Sequence, residues 1–153
     1  MDKHFSDILL KFVKIAFPLT KRICRNNLLY SRDEVILKTI FVVDDSDTNL
    51  ATAEDALEDQ YNVMTVPSAA KMFSLLEKVT PDLILLDIEM PEMNGFEALE
   101  RLKAGSWSGI PVIFLTGTID ASIEERSSKL GAAGIISKPF SASALLDRMN
   151  SYF

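Results

Sequence analysis

The stretch Pro81-Asp82-Leu83-Ile84-Leu85-Leu86-Asp87-Ile88-Glu89-Met90-Pro91-Glu92-Met93-Asn94-Gly95 decides the fold. Leu83–Leu86 is an unbroken apolar run with the character of a strand buried on both faces, and it ends in a carboxylate, Asp87. A turn rich in Pro, Asn and Gly follows at once. In open α/β sheets ligands bind at the carboxyl ends of the strands. Three further segments repeat the design. Phe41-Val42-Val43 ends in Asp44-Asp45, Val112-Ile113-Phe114-Leu115 in Thr116-Gly117, and Ile135-Ile136-Ser137 in Lys138-Pro139.

Working outward from that stretch, short apolar strands alternate with amphipathic helices from Thr39 onward. Ile40–Val43 reads as a strand, and Asp47 or Thr48 as the cap of a helix running to about Gln60. Asn62–Val66 is a second strand, and Ser68 precedes a helix through Val79. Leu83–Leu86 and Phe96–Lys103 form the third pair, and Ile110–Leu115 is the fourth strand. Ala121–Leu130 is a more polar helix, stopped at Gly131. Gly134–Ser137 is the fifth strand, and Ser141 caps a last helix reaching Tyr152. Five such units imply an α/β, doubly wound five-stranded parallel sheet of flavodoxin-like type, with strand order 2-1-3-4-5. That order brings Asp44, Asp45, Asp87, Thr116 and Lys138 to one edge of the sheet.

At 153 residues and 48% hydrophobic content, the chain can build one core. Its net charge of −6 is unevenly spread. Residues 1–38 hold eight Lys or Arg against four Asp or Glu, and residues 39–153 hold eight against eighteen. So acidic a body argues against a nucleic-acid partner. The single cysteine, Cys24, cannot form an internal disulfide, which fits a cytoplasmic protein. Lys11, Lys14 and Pro18 cut the first apolar stretch well short of the ~20 residues a membrane span needs.

Three crowded carboxylates repel one another unless a cation neutralises them. Hard oxygen donors with room for water suit Mg²⁺ best, with Mn²⁺ next. Asp87 can act as a nucleophile toward a phosphoryl donor, giving an acyl phosphate. Lys138 offers a compact positive charge to the phosphoryl oxygens and Thr116 a short hydroxyl donor, while Gly117 leaves space beside it.

Asp44-Asp45, the block Leu83 to Gly95, Thr116-Gly117 and Gly131-Ala-Ala-Gly-Ile-Ile-Ser-Lys138-Pro139-Phe140 together resemble the receiver domain of two-component response regulators, the CheY-like superfamily. The resemblance covers about residues 39–153 and implies a receiver over 37–153 with an extension over 1–36. It implies that Asp87 accepts phosphate from a histidine kinase or histidine phosphotransfer protein. It further implies that Asp45 binds Mg²⁺ directly, Asp44 largely through water, and the Glu89 backbone carbonyl completes the protein ligands. Thr116 and Lys138 would read the phosphoryl group, and the bond before Pro139 would be cis. Signalling would run by protein–protein contact through helix 4, strand 5 and helix 5, about Ala121 to Phe153, with no output domain expected in this chain and a homodimer admitted. Such a protein is not an enzyme beyond its own phosphorylation and dephosphorylation.

One position departs from the pattern. Three residues before the lysine the family usually carries Tyr or Phe as a switch partner of the threonine; here it is Ile135. Packing alone would then couple Ile135 to Thr116, or the domain docks partners without phosphate. Glu89 and Thr118 stand where their side chains would flank an attacking water and tune the aspartyl-phosphate lifetime. A weaker resemblance, to haloacid-dehalogenase phosphatases, would make Asp45 the nucleophile and Asp47 the acid, and leaves Asp87 without a task.

Residues 1–36 lie outside the resemblance. Ile8, Leu9, Phe12, Ile15, Ala16 and Leu19 with Lys11, Lys14, Lys21, Arg22 and Arg25 outline a basic, partly helical stretch. It reads as a membrane-surface or partner-docking helix, or more plainly as a helix packed on the receiver, a remnant of an upstream domain, or the product of a start codon assigned too early. His4, the single histidine, has no metal-ligand partners nearby in sequence. Met64 and Met72 are spaced for core packing, and Trp107 reads as local cover.

Overall fold

Five parallel strands form one sheet in the order β2-β1-β3-β4-β5. The computed structural model describes residues 36–153, so the expectations for the basic stretch, His4 and Cys24 lie outside the described residues. The elements are β1 (Thr39–Val43), α1 (Asp47–Leu57), β2 (Asn62–Val66), α2 (Ala69–Leu76), β3 (Leu83–Asp87), α3 (Gly95–Ala104), β4 (Val112–Thr116), α4 (Ala121–Lys129), β5 (Gly134–Ser137) and α5 (Ala142–Tyr152). They follow the expected alternation, and Leu37–Phe153 forms one compact unit.

Two apolar layers explain why β3 and β4 are apolar throughout. Phe41, Val43, Ile84, Leu86, Val112 and Phe114 face α2 and α3, where Met72, Phe73, Phe96 and Leu99 meet them. Ile40, Val42, Leu83, Leu85, Ile113 and Leu115 face α1 and α5, against Leu50, Leu57, Leu145 and Met149. Successive strand residues point to opposite faces, so a strand covered on both sides has no place for a polar side chain until it ends. Every residue of β3 and β4 is buried, whereas the edge strand β5 is only half-buried. Each fully buried Leu or Ile contributes roughly 1.5–3 kcal/mol. The sheet centre, which carries Asp87, is therefore the most firmly held part of the fold.

Several boundaries differ from the sequence reading. Ser46, not Asp47 or Thr48, caps α1; its backbone is extended and its hydroxyl accepts from the Asn49 N–H at 3.4 Å. That helix ends at Leu57 rather than Gln60, because the Gln60 and Tyr61 N–H groups both turn back onto the Leu57 carbonyl. The turn buries Tyr61. Helix α2 ends at Leu76, short of Val79, where Lys78 and Val79 close onto the Leu75 carbonyl ahead of Thr80-Pro81. β4 starts at Val112 because the Ile110 N–H is spent in a turn on the Trp107 carbonyl and Pro111 has none to give. Trp107 covers the core locally, its ring tilted against Phe73 at 5.7 Å. Among the described residues, no helix is long and apolar enough to cross a membrane.

Candidate functional site

Each singled-out polar side chain stands at the carboxyl end of a strand. Asp87 is the last residue of β3 and Thr116 the last of β4, while Asp44 and Asp45 follow β1 and Lys138 follows β5. Strand register pairs Val43 with Leu86, Asp87 with Leu115 and Thr116 with Ser137. Four neighbouring strands therefore stop at nearly the same level. One carboxylate oxygen from each of Asp44, Asp45 and Asp87 lies within 4.8 Å of the others. Asp44 and Asp87 are buried, and Asp45 opens to solvent.

The two oxygens of Asp87 have different surroundings. Oδ1 accepts from the Lys138 ammonium at 2.8 Å and from the Glu89 N–H at 3.1 Å. Oδ2 is buried and has no hydrogen-bond partner. An unpartnered carboxylate oxygen is costly to bury. Burial accordingly pushes the Asp87 carboxyl above the usual carboxylate range, against the pull of Lys138, and the charge of Asp44 adds to the rise while the Glu89 N–H restrains it. Burial works to lower the Lys138 ammonium, yet its contacts with Asp87 and Asp44 prevail and hold it above the usual lysine value. Lys138 therefore stays charged.

Asp44 is held on both oxygens. Oδ1 accepts from the Ser46 N–H at 2.8 Å, and Oδ2 from the Asn49 amide at 3.0 Å and from Lys138 at 3.5 Å. Neither Ser46 nor Asn49 is marked as a site residue by the sequence motifs. The available signal was a polar residue in the first turn of α1, five positions after a strand-end acid.

The remaining expected residues fall into place around this core. The Thr116 hydroxyl donates to the Thr118 carbonyl at 2.8 Å and accepts from the Thr118 N–H at 3.2 Å, so it is turned into its own loop. A Cβ added at Gly117 would meet nothing within 4 Å. Glu89 and Thr118 are exposed. Ile135 pairs in register with Phe114 and packs, half-buried, against the core layer that contains Phe114 and Phe96. The Lys138–Pro139 bond is cis. Lys138 contacts Asp87 and Asp44, which puts Asp87 at the centre of the cluster and leaves Asp45 at its rim.

Three acids against one ammonium leave a negative excess around an oxygen that lacks a partner. This all-oxygen donor set fits a hard divalent cation.

The sequence profile of the response regulator receiver domain matches residues 40–150. The chain belongs to the response regulator receiver family. This receiver is 32% identical over 117 residues to the polar-differentiation response regulator DivK of Brucella ovis, covering 75% of this chain and 95% of that one. It is 35% identical over 123 residues to a probable cyclic di-GMP phosphodiesterase of Vibrio cholerae, covering 80% of this chain but only 28% of that relative's length. Its structure is similar to that of the chemotaxis protein CheY4 of Vibrio cholerae, with a TM-score of 0.73 at 26% identity, covering 76% of this chain and 99% of that one. The family is one of signalling modules whose general partners are histidine kinases and phosphotransfer proteins, and the acidic cluster is of the kind at which receivers bind Mg²⁺.

Proposed function

We propose that this receiver accepts a phosphoryl group on Asp87 from a histidine kinase or histidine phosphotransfer protein, in a reaction that requires Mg²⁺. The asymmetry of Asp87 carries the reading: Oδ1 is anchored by Lys138 and Glu89 while buried Oδ2 has no partner. Asp44, Asp45, Asp87 and the Glu89 carbonyl would hold the ion, with Mn²⁺ a workable substitute. Held there, the ion would neutralise negative charge on the carboxylates and on the incoming phosphoryl group.

The chain's own residues do the rest. Asp87 Oδ2 attacks the phosphorus of a phosphohistidine, and an O–P bond forms as the P–N bond breaks. The electron pair returns to the imidazole nitrogen of the donor, which takes up a proton, and an acyl phosphate remains on Asp87. Lys138 keeps Oδ1 oriented and balances the charge arriving on the phosphoryl oxygens. The Thr116 hydroxyl would leave Thr118 to donate to a phosphoryl oxygen. Open space at Gly117 leaves room for it. Glu89 and Thr118, both exposed beside the site, would set how readily water reaches the acyl phosphate.

Output would run through α4, β5 and α5 to a protein target or a second copy of the domain, in the cytoplasm and without turnover on an external substrate. Ile135 supports a second reading, in which the domain docks its partner without phosphate. The test is intact-protein mass after incubation with Mg²⁺ and acetyl phosphate. One added phosphoryl group is expected on the wild type, and none with Asp87→Asn or with EDTA. No addition from acetyl phosphate under conditions where Mg²⁺ is bound would leave a receiver phosphorylated only by its kinase or a docking module. No addition from a phosphorylated histidine phosphotransfer protein either would sink the first reading, and partner capture unchanged by Asp87→Asn would establish the second.

A further inference from the structure

Asp44 and Asp87 compete for one ammonium. Lys138 Nζ stands 2.8 Å from Asp87 Oδ1 and 3.5 Å from Asp44 Oδ2, so the ion pair is biased toward Asp87 although both acids are buried. A bare Asp44 Oδ2 would draw the ammonium to a point between the two, since a buried carboxylate oxygen without a donor is costly. Asn49 is what stands on that oxygen, its amide donating at 3.0 Å. The backbone that carries this amide is held in place, because the Asn49 backbone N–H donates to Ser46 Oγ at the start of α1, while the Ser46 N–H donates to the other oxygen of Asp44. The first turn of α1 thus grips Asp44 at both oxygens.

We propose that Asn49 is a positioning residue which satisfies Asp44 Oδ2 with a neutral donor and so reserves the Lys138 ammonium for Asp87. The neutrality of the amide is the point of the device. A Lys or Arg at this position would cancel the negative excess that attracts a cation, and an Asp would add a fourth acid and repel Asp44. Leu or Ala would let Asp44 draw Lys138 to a point between the two acids, setting the ammonium closely against a second acid the metal needs instead of chiefly against Asp87. Asn meets the requirement because it donates a hydrogen bond and carries no charge.

The inference rests on the proposed cation site, and a double-mutant cycle on Mg²⁺ affinity separates the two. Titration calorimetry would measure the Mg²⁺ dissociation constant for wild type, Asn49→Ala, Lys138→Ala and the double variant, with Asp44→Asn as a control for the site. Asn49→Ala is expected to weaken Mg²⁺ binding about five- to tenfold in the wild-type background and less than about twofold once Lys138 is gone. Circular dichroism would confirm that each variant is folded, and Asn49→Leu, nearly the same shape without the donor, would repeat the effect if packing is not its cause. An equal loss in both backgrounds would show that Asn49 acts on Asp44 alone and would overturn the inference while leaving the cation site intact. Wild-type protein that binds no Mg²⁺, or binds it as tightly after Asp44→Asn, would overturn the proposed cation site and this inference with it.

Discussion

Lys138 Nζ lies 2.8 Å from Asp87 Oδ1, a contact between residues 51 positions apart. It joins the central strand β3 to the edge strand β5 across the end of β4. The backbone repeats the link one strand over, where the Lys138 N–H donates to the Thr116 carbonyl at 2.7 Å. Lys138 thus holds Asp87 through its side chain and Thr116 through its backbone. That link needs no aromatic ring at position 135, because it is made by Lys138, the residue that follows β5.

The raised carboxyl of Asp87 has a thermodynamic consequence. An acid whose value rises on folding carries no penalty below its unfolded value and the full penalty above its folded value. In EDTA at neutral pH, Asp87→Asn should therefore stabilise the fold. The gain should vanish as the pH falls below the ordinary carboxylate range, and saturating Mg²⁺ should favour the wild type by mass action. Urea unfolding across pH, with and without Mg²⁺, measures all three. A less stable Asp87→Asn in EDTA would mean that the Lys138 contact outweighs the burial of the charge.

Gly95 is required by contact. A Cβ there would lie 2.4 Å from the Asp87 carbonyl oxygen and 2.8 Å from Ile88 Cα, both backbone atoms with no room to yield. The Gly95 N–H also donates to the Ile88 carbonyl at 2.9 Å, fastening the start of α3 to the end of β3. Gly95→Ala should cost about 2 kcal/mol or more through overpacking. Because the displaced atoms belong to Asp87 and Ile88, phosphoryl uptake should fall in the protein that still folds. Thermal unfolding and intact mass after acetyl phosphate treatment read the two effects separately.

The central strands and their terminal acids were legible because a doubly covered strand must be apolar until it ends, and Leu83–Leu86 and Val112–Leu115 obey that rule. The limits of α1, α2 and β4 were not, since each turns on one or two backbone hydrogen bonds, such as Tyr61 N–H to the Leu57 carbonyl, that leave no mark on hydrophobic periodicity. Asp44, Asp45, Asp87 and Lys138 could be gathered from strand order alone. Asn49 could not, because its amide reaches Asp44 from a first turn, Asp47-Thr48-Asn49, in which hydrophobic periodicity does not choose among three polar side chains. The inward turn of the Thr116 hydroxyl onto Thr118 was equally hidden, being a rotamer choice rather than a pattern.

Gly117 is the counterpart of Gly95, since a Cβ there meets only open space. Gly117→Ala should leave stability within about 0.5 kcal/mol of wild type, as expected away from core contacts. Its methyl group would instead intrude on the open space beside Thr116 proposed for the phosphoryl oxygens. Unfolding curves that overlay the wild type, with slower phosphoryl uptake from acetyl phosphate, are the expected pair of results. Uptake at the wild-type rate would show that the phosphoryl group sits away from this loop.

At the opposite end of the sheet, Asp82 latches β1 to the start of β3. Its Oδ2 accepts from the Thr39 N–H at 2.8 Å, its Oδ1 from Lys38 Nζ at 3.0 Å, and its own N–H donates to the Thr39 carbonyl at 2.8 Å. Burial works to raise this carboxyl, but the Thr39 N–H and Lys38 prevail and hold it below its usual value. An acid lowered on folding contributes stability that is fully present above its unfolded value and is lost as pH falls through its folded value. The side chain is 36% exposed, so solvent screening keeps the contribution below about 1 kcal/mol. Asp82→Asn should therefore cost a few tenths of a kcal/mol at neutral pH and low salt, as is typical of exposed pairs. The gap to wild type should narrow in molar salt, which screens the Lys38 charge, and close in acid, where the wild-type carboxyl is protonated in both states. A gap that salt leaves unchanged would assign the latch to the Thr39 hydrogen bond alone.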